Sequence, residues 1–206
     1  MADDGFLENI PFLLVEELKK LGLFLRTTFI WDKINPRPRR CKESFNSHEY
    51  VFVFTRTRHH DEYKLRMDQE GDLTSFNWFN DDESETKTYE FDDLGEIQWS
   101  NGTVISTAVG KDNHLTKYGI KKTGHPCPMN PWLAIFLILK FSKEGDLIYD
   151  PFSGLGTTGY ACLRTGRRYV GYENVKKFYN AQMDMLENVH AENLMKENNN
   201  NLKNVA

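Results

Sequence analysis

Residues 150–173 read DPFSGLGTTGYACLRTGRRYVGYE, and this stretch restricts the fold more than any other part of the chain. Asp150 ends a short apolar run, DLIYD, and Gly154, Gly156 and Gly159 follow it at G-x-G-x-x-G spacing. TTGYACLRTG then reads as a helix, and RYVGYE as a second buried strand that ends near Glu173. Glycines at such positions let the backbone turn tightly and let a ligand approach the start of a helix. The sequence therefore predicts a β-α-β unit, with NPWLAIFLILKFS as an apolar helix in front of it.

A glycine turn of this kind suits a nicotinamide or flavin dinucleotide, whose pyrophosphate sits at a helix N-terminus and whose ribose is held by an acid. Asp150 argues for a different ligand. A carboxylate just ahead of the turn repels a pyrophosphate and suits a cation. S-adenosylmethionine carries a sulfonium and an ammonium and no phosphate. Glu173 then stands where it can accept hydrogen bonds from ribose hydroxyls, while Gly154 and Gly156 let backbone lie against the methionine portion. A dinucleotide-dependent oxidoreductase and a glycine turn used only for packing are the competing readings.

The longer stretch HPCPMNPWLAIFLILKFSKEGDLIYDPFSGLGTTGYACLRTGRRYVGYENVKKFY, residues 125–179, resembles the cofactor-binding end of the amino methyltransferases that modify adenine or cytosine in DNA. Asp150, Pro151, Phe152, Gly154, Gly156, Thr157, Thr158, Gly166, Arg167 and Glu173 all fall on that family's pattern. The resemblance implies an α/β fold, a partial Rossmann-like methyltransferase sheet with an irregular inserted recognition segment. It also implies an S-adenosylmethionine site made by His125, Pro126, Asp150, Pro151, Phe152, Ser153, Gly154, Gly156, Thr157, Thr158 and Glu173.

The front of the chain fits the same family less specifically. FIWDKINPRPRRCKESFNSHEYVFVFTR resembles its Trp-x-Lys segment, which runs through a Pro-rich loop into a strand. Lys33, Arg37, Arg39, Arg40 and Lys42 lie on that loop and are expected to hold DNA phosphates, which contribute affinity rather than sequence choice. His48-Glu49 does not start a zinc-protease helix, because Phe52 stands where the second His would be and the segment reads as a strand. Residues 61–120 are polar and irregular, carry an acidic cluster between Asp81 and Glu96, and fall where the family places its target-recognition segment.

The resemblance leaves one motif without a counterpart. Family members arranged this way carry near the N-terminus an Asp-, Asn- or Ser-Pro-Pro-aromatic segment that orients the target amino group and stacks on the flipped base. The nearest string here is Asn35-Pro36-Arg37-Pro38, which lacks the consecutive prolines and the ring. The chain thus looks like the C-terminal two thirds of such an enzyme. The expectation is a site-specific DNA methyltransferase part that binds S-adenosylmethionine but is inactive without that segment. Adenine is favoured over cytosine by the Lys-x-Asn-Pro-x-Pro form of the loop. A catalytically dead subunit that binds DNA or a partner is the alternative. Missing central strands would leave DLIYD with an open edge. A complementing polypeptide is the favoured way to cover it, ahead of self-association or direct pairing with EYVFVFTR.

The organisation that follows has residues 1–60 as part of the methyltransferase core, 61–120 as the recognition segment, 121–190 as the cofactor-binding part and 191–206 as a frayed tail. Composition sets outer limits. Fourteen Phe, nine Tyr and four Trp speak for a packed core, and a net charge of −4 argues against a uniformly basic nucleic-acid binder. Cys41, Cys127 and Cys162 are scattered, with no C-x-x-C spacing, which predicts neither disulfides nor a metal site. The N-terminal stretch is acidic and no apolar run reaches the roughly 18 residues of a membrane span. An intracellular protein, cytoplasmic or nuclear, is the expectation.

Overall fold

The computed structural model describes residues 10–33, 48–58, 64–66, 75–79, 86–91, 94, 98–100, 104–107, 113–120, 124–125 and 128–203. The chain divides into two compact units: Met1–Asp61 with Trp99–Ser106, and Glu62–Gln98 with Thr107–Ala206.

The first unit starts with helix α1, Ile10–Lys20. Gly22, at φ 83°, stops it. Its N–H reaches the Lys19 carbonyl at 2.9 Å while Leu23 N–H reaches Leu18 at 3.2 Å, a Schellman closure that satisfies two terminal carbonyls. The buried residue of α1 is Val15, whereas Leu14 and Leu21 are exposed. Strand β1, Phe24–Lys33, pairs antiparallel with β2, His48–Thr55, in a register that sets Phe29 opposite Val51 and Trp31 opposite Glu49. Alternation puts Phe29 and Trp31 on one face, where both are buried. On the other face Phe12 of α1 meets Tyr50 and Phe52 edge-on, with ring centroids 5.3 and 5.9 Å apart. Strands β6, Gln98–Ser100, and β7, Val104–Thr107, extend this sheet in the order β2-β1-β7-β6.

The second unit opens with an antiparallel meander of β3, Lys64–Arg66, β4, Ser75–Phe79, and β5, Thr86–Glu90. Residues 61–120 therefore contribute strands to both units. Helices α2, Asn113–Lys117, and α3, Pro131–Phe141, follow. Pro131 occupies the first turn of α3, where its missing N–H costs nothing, and the Asn130 side chain accepts from Trp132 N–H at 2.9 Å. Almost every residue of α3 is apolar and buried, so this helix is core on all sides.

The β-α-β unit forms where the sequence places it. Strand β8, Leu147–Asp150, and strand β9, Arg168–Gly171, pair in parallel with Asp150 opposite Gly171, and helix α4, Thr157–Arg164, connects them. Arg167, at 3% exposure, fastens the neighbouring element ends together. Its guanidinium donates to the Ser142 carbonyl at 2.6 Å, to Ser142 Oγ at 3.1 Å, to Tyr89 Oη at 3.0 Å and to the Thr165 carbonyl. Arg167 is thus a structural arginine that buries its charge among oxygen acceptors. Beside it, burial pushes the Cys162 thiol up to about 12, so this cysteine is an inert core residue.

Helix α5 runs from Lys176 to Lys203. This differs from the expected loss of structure after residue 191. Leu194 and Met195 are exposed on its last turns, and the Asn-rich stretch continues the same hydrogen-bonded spiral. Among the described residues no helix is long and apolar enough to cross a membrane.

Candidate cofactor site

The site is the turn between β8 and α4. Asp150 closes β8, and its Oδ1 accepts from Phe152 N–H at 3.0 Å, bending the chain back at once. Ser153 N–H then reaches the Tyr172 carbonyl at 2.9 Å, and Tyr172 N–H reaches the Asp150 carbonyl at 2.9 Å, which continues the β8–β9 ladder into the turn. Gly154 and Gly156 have φ of 53° and 80°, the left-handed region that favours glycine. Gly156 caps α4, and its carbonyl accepts the first helical bond from Tyr160 N–H at 2.8 Å.

Glu173, two residues beyond the end of β9, closes the arrangement. One carboxylate oxygen accepts from Gly154 N–H at 2.9 Å and the other from Val175 N–H at 2.8 Å. The sequence-predicted ribose acceptor is therefore also a brace for the glycine turn. A carboxylate offers about four lone-pair sites, so two of them remain for a ligand.

A cleft of about 370 Å³ opens over the turn. Of the sequence-predicted residues, His125, Asp150, Phe152, Ser153, Gly154, Thr157 and Thr158 line it. Gly156 lies behind it, Pro151 sits on the exposed turn, Glu173 reaches it through Gly154, and Pro126 falls outside the described residues. Phe152 is 88% exposed, so its ring face is open to a flat ligand. A Cβ on Gly154 would lie 3.0 Å from His125 Nε2, which shows how closely that imidazole covers the backbone. His125 is itself set by an edge-on contact with Phe178 at 4.8 Å.

Pro128, Met129, Tyr149 and Leu155 also line the cleft, and sequence reasoning missed them. Two further residues behind the turn were missed as well. Gln182 Nε2 donates to Ser153 Oγ at 3.0 Å, and His114 Nε2 lies 3.2 Å from Thr157 Oγ1. Only the position of Gln182 one helical turn from Phe178 and three residues before Met185 hinted at an inward-facing polar side chain.

The electrostatics separate the candidate ligands. Among the described residues that line the cleft there is no Lys or Arg, and Asp150 supplies the formal charge. The start of α4 attracts negative charge, yet a pyrophosphate there would meet the Asp150 carboxylate and, among the described lining residues, no Lys or Arg to offset it. A cationic ligand meets the opposite situation. Beneath the turn, burial pushes the Tyr169 phenol up to about 12, and the Asp150 charge adds in the same direction. Tyr169 stays neutral and serves as a packing surface for Gly159, where a Cβ would lie 2.7 Å from its ring.

The basic loop belongs to the other unit. Lys33 Nζ is paired with the Glu49 carboxylate and lies 5.1 Å from the centre of the Trp31 ring, so its charge is partly engaged within the protein. Arg37, Arg39, Arg40 and Lys42 lie outside the described residues. Among the described residues no cluster of His, Cys, Asp and Glu is arranged to hold a metal ion.

Comparison with known proteins places this geometry. The DNA methylase family model for N6- and N4-type enzymes matches residues 3–184. The Type II methyltransferase M.Cfr9I of Citrobacter freundii is 26% identical over 180 residues, which are 87% of this chain and 50% of that protein. The chain spans about half the length of the curated relatives it matches, at 50%, 50% and 58% for three of them. Among solved structures, the M1.HpyAVI–SAM complex superposes with a TM-score of 0.58 at 18% identity, covering 88% of this chain and 71% of that one. The cytosine-N4-specific PvuII DNA methyltransferase does so at 0.59 and 17%, covering 88% and 61%. These structural likenesses establish the α/β methyltransferase fold.

Proposed function

The chain belongs to the N6/N4 DNA methylase family, and from that premise we propose that it is the S-adenosylmethionine-binding part of a site-specific DNA methyltransferase. One observation carries the reading: a glycine turn whose backbone is held between Asp150 and Glu173, beneath a cleft with no Lys or Arg among its described lining residues. When bound there, S-adenosylmethionine supplies an electrophilic methyl group on a sulfonium. Asp150 faces the cation, the free lone pairs of Glu173 accept from ribose hydroxyls, and Phe152 offers its open ring face to the adenine. His125, Pro126, Pro151, Ser153, Thr157 and Thr158 complete the wall. A relative of the same fold is a SAM complex by its own description, which supports this choice of ligand.

The methyl acceptor in this reading is the exocyclic amino group of adenine, and less favourably cytosine, in DNA. The loop with Lys33, Arg37, Arg39, Arg40 and Lys42 holds the phosphates. The triple replacement Arg37→Ala, Arg39→Ala and Arg40→Ala is expected to weaken DNA binding and to flatten its dependence on salt, by about 0.9 in logarithmic slope for each phosphate contact removed. An identical slope before and after takes the loop off the DNA surface.

Catalysis in this reading requires a Pro-Pro-aromatic segment that this sequence does not contain, brought by further polypeptide. The exposure of Leu147, Tyr149, Val170 and Tyr172 at 55%, 64%, 49% and 63% supports it, because parallel strands are ordinarily covered on both faces. Self-association of two chains is the competing way to cover that face. Single-turnover assays with methyl-labelled S-adenosylmethionine and unmethylated DNA test the proposal. The expected result is cofactor bound by the purified chain with no label transferred to DNA. Transfer by the chain alone contradicts the need for an outside segment. Label transferred only when further polypeptide is added separates the methyltransferase from a catalytically dead binding subunit.

A further inference from the structure

The glycine turn is gripped from behind by two side chains that are distant in sequence. Ser153 precedes Gly154 and Thr157 follows Gly156, so the two hydroxyl residues bracket the turn, and each is 5% exposed. Ser153 Oγ accepts from Gln182 Nε2 at 3.0 Å, and Thr157 Oγ1 lies 3.2 Å from His114 Nε2. Gln182 and His114 are themselves 3% and 1% exposed. We propose that Gln182 and His114 are positioning residues that fix the glycine turn in its ligand-binding shape, acting through Ser153 and Thr157.

Several observations lead there. Gln182 shares the buried stripe of α5 with Met185 and Val189, where an apolar side chain would pack at no electrostatic cost. A buried amide is tolerated on such a stripe when it is hydrogen-bonded, and the partner it finds is the turn. Its stem also sets the depth of the turn, since a Cβ on Gly156 would lie 2.8 Å from Gln182 Cβ. The helices that carry the two anchors are also joined. On α2, three residues beyond His114, Lys117 Nζ meets Glu192 of α5 at 2.6 Å, and Tyr118 Oη donates to the same oxygen at 3.0 Å.

A turn with two left-handed glycines has wide conformational freedom when it is not held. Holding it before the ligand arrives removes an ordering cost from binding, which is where positioning residues act. Ser153 and Thr157 line the cleft as well as meeting these anchors, so a change at Gln182 or His114 reaches the ligand through a single side chain.

The identity of the ligand rests on the function proposed above, and the test separates the two. Gln182→Leu and His114→Leu keep the volume and remove the hydrogen bonds. Each is expected to weaken S-adenosylmethionine binding about tenfold by calorimetry. In the ligand-free protein each should also speed amide exchange at Gly154–Gly156, with exchange in α3 and β8 unchanged. Gln182→His, which keeps an N–H donor for Ser153 Oγ without burying a carboxylate, and His114→Gln, which keeps a polar group near the Nε2 position, should recover most of both effects. Leucine variants with unchanged turn exchange overturn the proposal. So does an increase in exchange spread evenly over the whole unit, which marks a merely structural role. If the wild-type chain has no affinity for S-adenosylmethionine, the cofactor reading fails, and the exchange at Gly154–Gly156 still decides whether Gln182 and His114 position the turn.

Discussion

Glu173→Ala is expected to weaken S-adenosylmethionine binding roughly ten- to hundredfold, because hydrogen bonds to a charged acceptor contribute about 1.5–3 kcal/mol. Two losses combine. The carboxylate no longer accepts from ribose, and the N–H groups of Gly154 and Val175 lose the oxygens that hold them at 2.9 and 2.8 Å. Glu173→Gln separates them, since its carbonyl oxygen keeps one backbone bond while the charge is gone. Asp150→Ala should act in the same direction by removing both the anion proposed to face the sulfonium and the brace on Phe152 N–H. Unchanged calorimetric affinity in both alanine variants would remove these carboxylates from the site.

Gly156→Ala should destabilise the second unit by about 3 kcal/mol and abolish measurable cofactor binding with it. An L-residue in the left-handed region costs about 1–2 kcal/mol. Overpacking adds about 1–3 kcal/mol, because the new Cβ would lie 2.8 Å from Gln182 Cβ inside a buried contact. Gly145 is the natural control. Its φ of 81° matches the 80° of Gly156, but nothing lies within 4 Å of its would-be Cβ. Gly145→Ala should therefore show the conformational cost alone, about 1 kcal/mol. Denaturant unfolding measures both. Equal losses in the two variants would show that the Gln182 contact contributes nothing.

The parts of this fold that were legible in the sequence are those fixed by local chemistry. Asn130-Pro131 announced the start of α3, and Asp150 with Gly154 and Gly156 the strand-turn-helix of the site. Each depends on a residue type that one backbone conformation requires. The illegible parts depend on partners supplied from elsewhere. Arg167 matched a motif, yet its acceptors on Ser142 and Tyr89 come from other elements. Gln182 and His114 resemble surface residues until the fold turns them onto Ser153 and Thr157.

Composition misled in α5: the asparagine-rich end suggested fraying, whereas helix continues to Lys203. The sequence gives no sign that β-sheet register brings Glu49 alongside Lys33. A charge pattern gives the sign of a surface, not which charges are already paired.

The most direct test of the account is a calorimetric titration of the unmodified chain with S-adenosylmethionine and, separately, with an oxidised nicotinamide dinucleotide. The carboxylate-flanked turn predicts saturable one-to-one binding of S-adenosylmethionine and no heat of binding from the dinucleotide. Saturable dinucleotide binding without affinity for S-adenosylmethionine would contradict it.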